Sequence, residues 1–172
     1  MTTPALRFRI PGHDFVLELA PHVLVHLEAH KQLKWTSREA GGQLFADLND
    51  PTVIRVIDVT GPRPTDRRSV FGYEPDRDAE RFEISERYAQ DLHFIGDWHT
   101  HRQRIPIPSR RDEWSMRDMV RQSAHSLLGF FMVIVGQTDF PWGLHVSLHR
   151  KDGADRLIAI QLDESTQSSR GH

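Results

Sequence analysis

The chain has no cysteine among its 172 residues, and that absence removes more chemistry than any other. Disulfides, thiolate zinc sites and iron–sulfur clusters are excluded, as is a cysteine nucleophile. If the protein hydrolyses an amide, then serine, threonine, carboxylates or a metal must supply the chemistry. Also missing is any apolar run near the roughly 20 residues needed to span a bilayer. The opening Met-Thr-Thr-Pro-Ala-Leu-Arg lacks the apolar core of a signal peptide, so the expected location is the cytoplasm. Neither sign of charge dominates: 22 Lys and Arg stand against 24 Asp and Glu, a formal net charge of −2. That balance gives no electrostatic footprint for nucleic acid or an anionic membrane. No repeat, low-complexity tract or linker breaks the chain, so one domain is expected over residues 1–163, followed by a flexible polar tail over 164–172.

What is present reads as a folded α/β chain, with 38% hydrophobic and 27% charged residues. Leu6–Ile10 and Phe15–Leu19 read as strands around the turn Pro11-Gly12-His13-Asp14. His22 to Leu33 is helical, with Val23, Leu24 and Leu27 on one side. Gln43–Leu48 and Val53–Val59 are strand-like and separated by the turn Asn49-Asp50-Pro51. Residues 61–69 form the longest loop. Asp76–Leu92 is helical, with Phe82, Ser85, Ala89 and Leu92 spaced for one face. Ser109 to Ser123 is a polar helix whose apolar set is Trp114, Met116, Met119 and Val120. The continuous apolar run Phe130–Val135 reads as a buried strand, and Leu144–Leu148 and Leu157–Leu162 as outer strands. The sum is a mostly antiparallel mixed sheet flanked by about three helices.

The most informative stretch is His99-Thr-His-Arg-Gln-Arg-Ile-Pro-Ile-Pro-Ser-Arg-Arg-Asp112. It follows the strand-like Leu92–Trp98. Side chains alternate along a strand, so His99 and His101 point the same way. Two imidazoles and a nearby carboxylate, Asp112, make three zinc ligands, leaving a fourth position for water as catalytic zinc requires. Hydrolysis then needs a base. Glu39, in Arg38-Glu39-Ala40-Gly41-Gly42, is the best placed: it lies between the first helix and the third strand, and the two glycines allow another backbone or a substrate close approach. Each piece also has an ordinary reading. Ser109-Arg-Arg-Asp112 fits a helix capping box, His99 and His101 could be plain strand histidines, and Glu39 a solvated helix-end residue. Only the set of five argues for chemistry.

Glu39-x-Gly-Gly, then Gly96-Asp-Trp-His-x-His, seven residues and Ser-x-x-Asp resembles the JAMM (MPN-type) zinc metalloproteases, over roughly residues 22–136 and in the family's order. The resemblance implies a single JAB/MPN-type domain, a cytidine-deaminase-like sandwich. It implies one zinc ion held by His99, His101 and Asp112, with Glu39 as general base and Ser109 steadying the tetrahedral intermediate. The pattern departs from the family at Arg102, where members usually carry proline; prolines return at Pro106 and Pro108. Asp66-Arg-Arg-Ser69, Phe71 and Asp76 are similar to the small prokaryotic JAB branch, found beside ubiquitin-activating-like enzymes, including those of antiphage operons. The resemblance therefore implies cleavage after the C-terminal glycine of a ubiquitin-like protein, with E1-like and E2-like proteins as possible partners. Two other readings stay open: a catalytically silent scaffold that binds a ubiquitin-like partner, and a processing protease for sulfur-carrier proteins.

The remaining histidines read as background. His22, His26 and His30 form a stripe taken as a solvated helix face, and His145 and His149 a shared face of an outer strand. Trp98 and Trp114 read as core. Arg102, Arg104, Arg110 and Arg111 read either as surface charge or as a site for an acidic partner or a C-terminal carboxylate.

Overall fold

A computed structural model describes residues 3–123 and 127–160. In chain order its elements are β1 (Leu6–Arg9), β2 (Val16–Leu19), α1 (Pro21–Ala29), β3 (Gly41–Asp47), β4 (Val53–Val59), β5 (Arg67–Ser69), β6 (Gly72–Glu74), α2 (Arg77–Tyr88), β7 (His93–Thr100), α3 (Arg110–Gln122), β8 (Phe130–Val135), β9 (Leu144–Arg150), β10 (Gly153–Arg156) and β11 (Ile158–Ala159). Nine strands form one mixed sheet in the order β10-β9-β8-β7-β3-β4-β2-β1-β11, and β5 and β6 make a separate hairpin. Only β2/β4 and β7/β8 pair in parallel among the described residues. The mostly antiparallel α/β architecture with three helices is therefore the one expected.

β8 explains the layering. Its six residues are all buried, because both faces of the strand are covered. Phe131, Val133 and Val135 join Val23, Leu24 and Leu27 of α1 in the main core. Phe130, Met132 and Ile134 join Met116 and Val120 of α3 in a second core on the opposite face. The central strand β7 lies between β3 and β8; it carries His99 near its C-terminal end, and His101 follows one residue beyond it.

Several elements differ from the sequence expectation. α1 stops at Ala29 rather than Leu33: the Lys31 ammonium turns aside to Glu28 and the Thr138 carbonyl, at 2.7 and 3.0 Å. The end of the expected loop at 61–69 is strand β5, which pairs with β6 just beyond it. The inner face of α2 is Glu80, Glu83, Ile84 and Arg87, while Phe82 is exposed. That face is held by ions: Arg63 clasps Glu83, and Arg87 Nε donates to Asp58 at 2.9 Å. Trp114 is 67% exposed, whereas Trp98 is 1% exposed and is core as expected. Trp114 lies about 200° around α3 from Met116 at 100° per residue, so the two cannot share a buried face. β9 is not an outer strand, since β10 pairs beyond it. Of the expected strand at Leu157–Leu162, only Ile158–Ala159 pairs, as β11 against β1; residues 161–162 and the tail at 164–172 lie outside the described residues.

Candidate metal centre and cleft

The three expected ligands meet. His99 and His101 leave the end of β7 on one face, and Asp112 comes from the first turn of α3. His99 Nε2 and His101 Nε2 are 3.1 Å apart. His99 Nε2 lies 3.2 Å from Asp112 Oδ1, and His101 Nε2 lies 3.2 Å from Asp112 Oδ2. Bonds of about 2.0–2.1 Å to a tetrahedral zinc put neighbouring donors roughly 3.3 Å apart, so this triangle fits the ion. Among the described residues it is the one group of three or more His, Asp or Glu side chains so arranged. Cysteine-free, nitrogen- and oxygen-rich and only partly buried, the donor set leaves room for a further ligand.

Local folding positions Asp112 and His101. Ser109 is the N-cap of α3: its Oγ accepts from the Asp112 amide at 3.1 Å, and Asp112 Oδ2 accepts from the Ser109 amide at 2.7 Å. The capping-box reading holds for Asp112, and the same carboxylate faces both histidines. The Ser109 hydroxyl proton is not used by the cap and remains available to the cleft. On the other side, Gln103 Oε1 accepts from His101 Nδ1 at 3.2 Å and from the Ile107 amide at 3.0 Å. Donation from Nδ1 leaves Nε2 facing the centre, where it donates to Asp112 when protonated and offers its lone pair when not.

Glu39 sits at the mouth of β3, partly buried and in the same cleft as the triangle and Ser109. Its amide donates to the Ser69 carbonyl at 2.8 Å, and its own carbonyl accepts from Arg68 Nε at 2.6 Å. Next to it, the Ala40 amide donates to Thr100 Oγ1 at 3.0 Å and the Thr100 amide to the Ala40 carbonyl at 2.9 Å. Thr100 Oγ1 in turn donates to Gln32 Oε1 at 3.0 Å, and Gln32 is fully buried. Glu39 is thereby fastened to the strand segment that lies between the two histidines.

Gly41 and Gly42 let another backbone approach, and that backbone is the protein's own. A Cβ on Gly42 would lie 1.7 Å from the Thr60 carbonyl oxygen, and one on Gly41 would strike Tyr73 and the Trp98 carbonyl.

The electrostatics separate the roles. Burial raises the Glu39 carboxyl above its ordinary value, although both histidines and Arg111 pull it down. A raised pKa is what a proton-carrying base near neutrality needs. Burial opposes charge on His101, but its hydrogen bond and attraction to Asp112 more than offset this and raise its pKa. Asp112 is partly desolvated, yet hydrogen bonds from both histidines hold it well below the usual carboxylate range.

Sequence reasoning missed Gln32, Thr100, Gln103 and Asp97. The first three carry no signal beyond polarity in loops or strands. Asp97 could have been found: it stands two residues before His99, so it shares the cleft face. It lines the cleft with Glu80, and desolvation, aided by the Glu80 charge, pushes its carboxyl up to about 7.

The histidine stripe needs correction. His22 is exposed, but His22 Nε2 meets the Ile57 carbonyl at 2.5 Å and His26 Nε2 the Gly61 carbonyl at 2.8 Å. The rings of His26 and His30 pack against Trp98 at 5.5 and 5.6 Å. The stripe pins α1 to the sheet. His145 and His149 do share a face, but they are buried beneath α3 rather than solvated.

A mixed sheet with a His-x-His strand, an upstream glutamate and a Ser-x-x-Asp helix start defines a JAB-type domain. The chain belongs to the prokaryotic homologs of the JAB domain, whose family model matches residues 21–145. It is similar to a CD-NTase/cGAS isopeptidase of Vibrio cholerae, 30% identical over 135 residues, covering 74% of this chain and 80% of that one. It is similar also to a CD-NTase/cGAS isopeptidase of Escherichia coli, 27% identical over 135 residues and covering 76% and 82%. A solved structure from Desulfitobacterium hafniense shares the fold, with a TM-score of 0.56 and 20% identity over 90% of this chain and 97% of that chain. Another from Salinibacter ruber has a TM-score of 0.51 and 21% identity over 86% and 92%.

Proposed function

We propose that this chain is a zinc-dependent isopeptidase of a bacterial conjugation system in antiphage defence. In this reading it releases the C-terminal glycine of a ubiquitin-like or CD-NTase-type tail from the amine to which E1-like and E2-like enzymes have joined it. The observation that carries the reading is the His99–His101–Asp112 triangle sharing one cleft with Glu39 and Ser109. The two similar isopeptidases support it.

His99, His101 and Asp112 would hold the ion. Bound there, zinc supplies Lewis acidity that lowers the pKa of water towards about 7 and polarises the scissile carbonyl. The Glu39 carboxylate takes the proton of the attacking water and later returns it to the leaving amine, as its raised pKa favours. The Ser109 hydroxyl donates to the developing oxyanion, a contribution of roughly 3 kcal/mol where such a donor has been removed. The Gly41–Gly42 contact with Thr60 keeps the floor beneath these groups stiff.

The test is Glu39→Gln in zinc-loaded protein, offered a ubiquitin-like or CD-NTase-type tail joined through its C-terminal glycine to a lysine. Zinc content by elemental analysis should stay near one per chain while cleavage slows by roughly 10²–10⁴. Full activity in this variant overturns the role of Glu39. A wild-type protein that binds the tail but cleaves nothing, with or without a chelator, is a scaffold instead.

A further inference from the structure

Eight arginines of this protein are spent on carboxylates. Arg7, Arg55, Arg63, Arg67, Arg77, Arg81, Arg87 and Arg150 all make ion pairs. Several others make no ion pair among the described residues, and four of these, Arg38, Arg68, Arg102 and Arg111, stand together around the mouth of the cleft. Arg38 and Arg68 are close enough that their like charges, after desolvation of Arg68, lower the Arg68 pKa. Arg68 gives its Nε to the Glu39 carbonyl, so this positive charge stands directly behind the proposed base. Arg102, where the family pattern has proline, donates to the Trp35 carbonyl at 2.6 Å and lies 5.8 Å from the centre of the Phe71 ring. Trp35 and Phe71 are 79% and 85% exposed. Arg111 and Phe71 both line the cleft itself. Beside a cleft whose lining also carries Glu74 and Glu80, the chain thus places four guanidinium groups that make no ion pair among the described residues and two uncovered aromatic rings.

Like charges held together without a counter-ion repel. Their planar forks are preorganised for carboxylates. Exposed rings beside them cover the aliphatic parts of a bound chain. Taking the isopeptidase reading as its base, we infer that this rim is a specificity subsite for acidic residues in the peptide segment carrying the scissile bond. Arg38, Arg68 and Arg102 meet the carboxylates on the Glu39 side, and Arg111 meets them from α3. A cleft that hydrolyses amides receives peptide, which favours an acidic peptide over a nucleic acid as the occupant.

The experiment uses lysine-linked Gly-Gly peptides with a Glu-Glu pair placed either in the tail or beside the lysine, and matched Ser-Ser and Lys-Lys versions. In wild-type zinc-loaded protein, one acidic placement should raise kcat/KM on the order of tenfold over the serine version, less at high salt. Arg102→Ala should bring that ratio near one. Arg38→Glu, a change at an exposed side chain, should invert it towards the lysine version even if Arg102→Ala folds poorly. Arg121→Ala, on the far part of α3, should keep the ratio. Anisotropy titration of Glu39→Gln protein should show the same order of affinities without any cleavage. Cleavage with no acidic preference overturns this inference and leaves the isopeptidase reading intact. Acid-selective binding with no cleavage of any peptide by wild type overturns the isopeptidase reading and with it the assignment of the rim to a scissile segment. Stronger competition by oligo(dT) than by a Glu-rich peptide assigns the rim to nucleic acid instead.

Discussion

At the scale of single residues, His145 shows how far burial can override an ordinary preference. It is 6% exposed, and neither ring nitrogen has a hydrogen-bond partner among the described residues. Desolvation, with Arg156, His149 and the two site histidines nearby, pushes its pKa down to about 4 from an ordinary value of 6.5. The folded state therefore holds a neutral ring while the unfolded chain takes the proton first. The stability this ring permits is intact above pH 6.5 and is lost as pH falls towards 4, by about 3 kcal/mol at the lower limit. Urea melts at pH 7 and pH 4 should show His145→Phe losing less stability than the wild type over that interval; equal losses would remove the neutral buried ring as the cause. In the sequence β9 alternates a polar face, His145, Ser147 and His149, with an apolar one, Val146 and Leu148. Nothing in His145-Val-Ser-Leu-His149 says that α3 lies over the polar face.

At the scale of elements, the sequence was legible wherever one side-chain period met one chemistry. The period of two put His99 and His101 together, Ser-x-x-Asp marked the start of α3, and six apolar residues marked β8. Illegible parts have physical reasons. β5 and β6 read Arg-Arg-Ser and Gly-Tyr-Glu and bury little, so no alternation announces them. Their hairpin is pinned instead by long-range polar contacts: Tyr73 Oη donates to Asp66 at 3.2 Å, and Asp66 also accepts from the Asp76 and Arg63 amides at 2.8 and 2.7 Å. α2 turns carboxylates inward because Arg63 waits there, which a search for apolar stripes inverts. The Gly41–Gly42 step was legible as a close approach but not as an approach to Thr60. Gly42→Ala must displace the Thr60 carbonyl, and overpacking of this kind costs about 1–3 kcal/mol or more. A lowered thermal midpoint together with slower cleavage would be the expected result; an unchanged midpoint would mean that β3 and the Thr60–Gly61 turn can separate freely.

At the scale of the whole molecule, the His99–His101–Asp112 triangle joins the end of β7 to the start of α3. An ion bound by the folded state alone stabilises it by mass action, about 4 kcal/mol when free metal exceeds Kd a thousandfold. In a domain of this size that shifts the midpoint on the order of 10 °C. Zinc-loaded and chelator-treated wild type should differ by such a shift, and His99→Ala should not; identical midpoints for the wild type in both states would deny the site. The capping box adds a consequence in time rather than energy. Because Asp112 Oδ2 already holds the Ser109 amide, the carboxylate is parked in position by the chain's own backbone before any ion arrives. Capture then need not wait for a helix to nucleate or a loop to search; its pace is set by how quickly the ion sheds its waters.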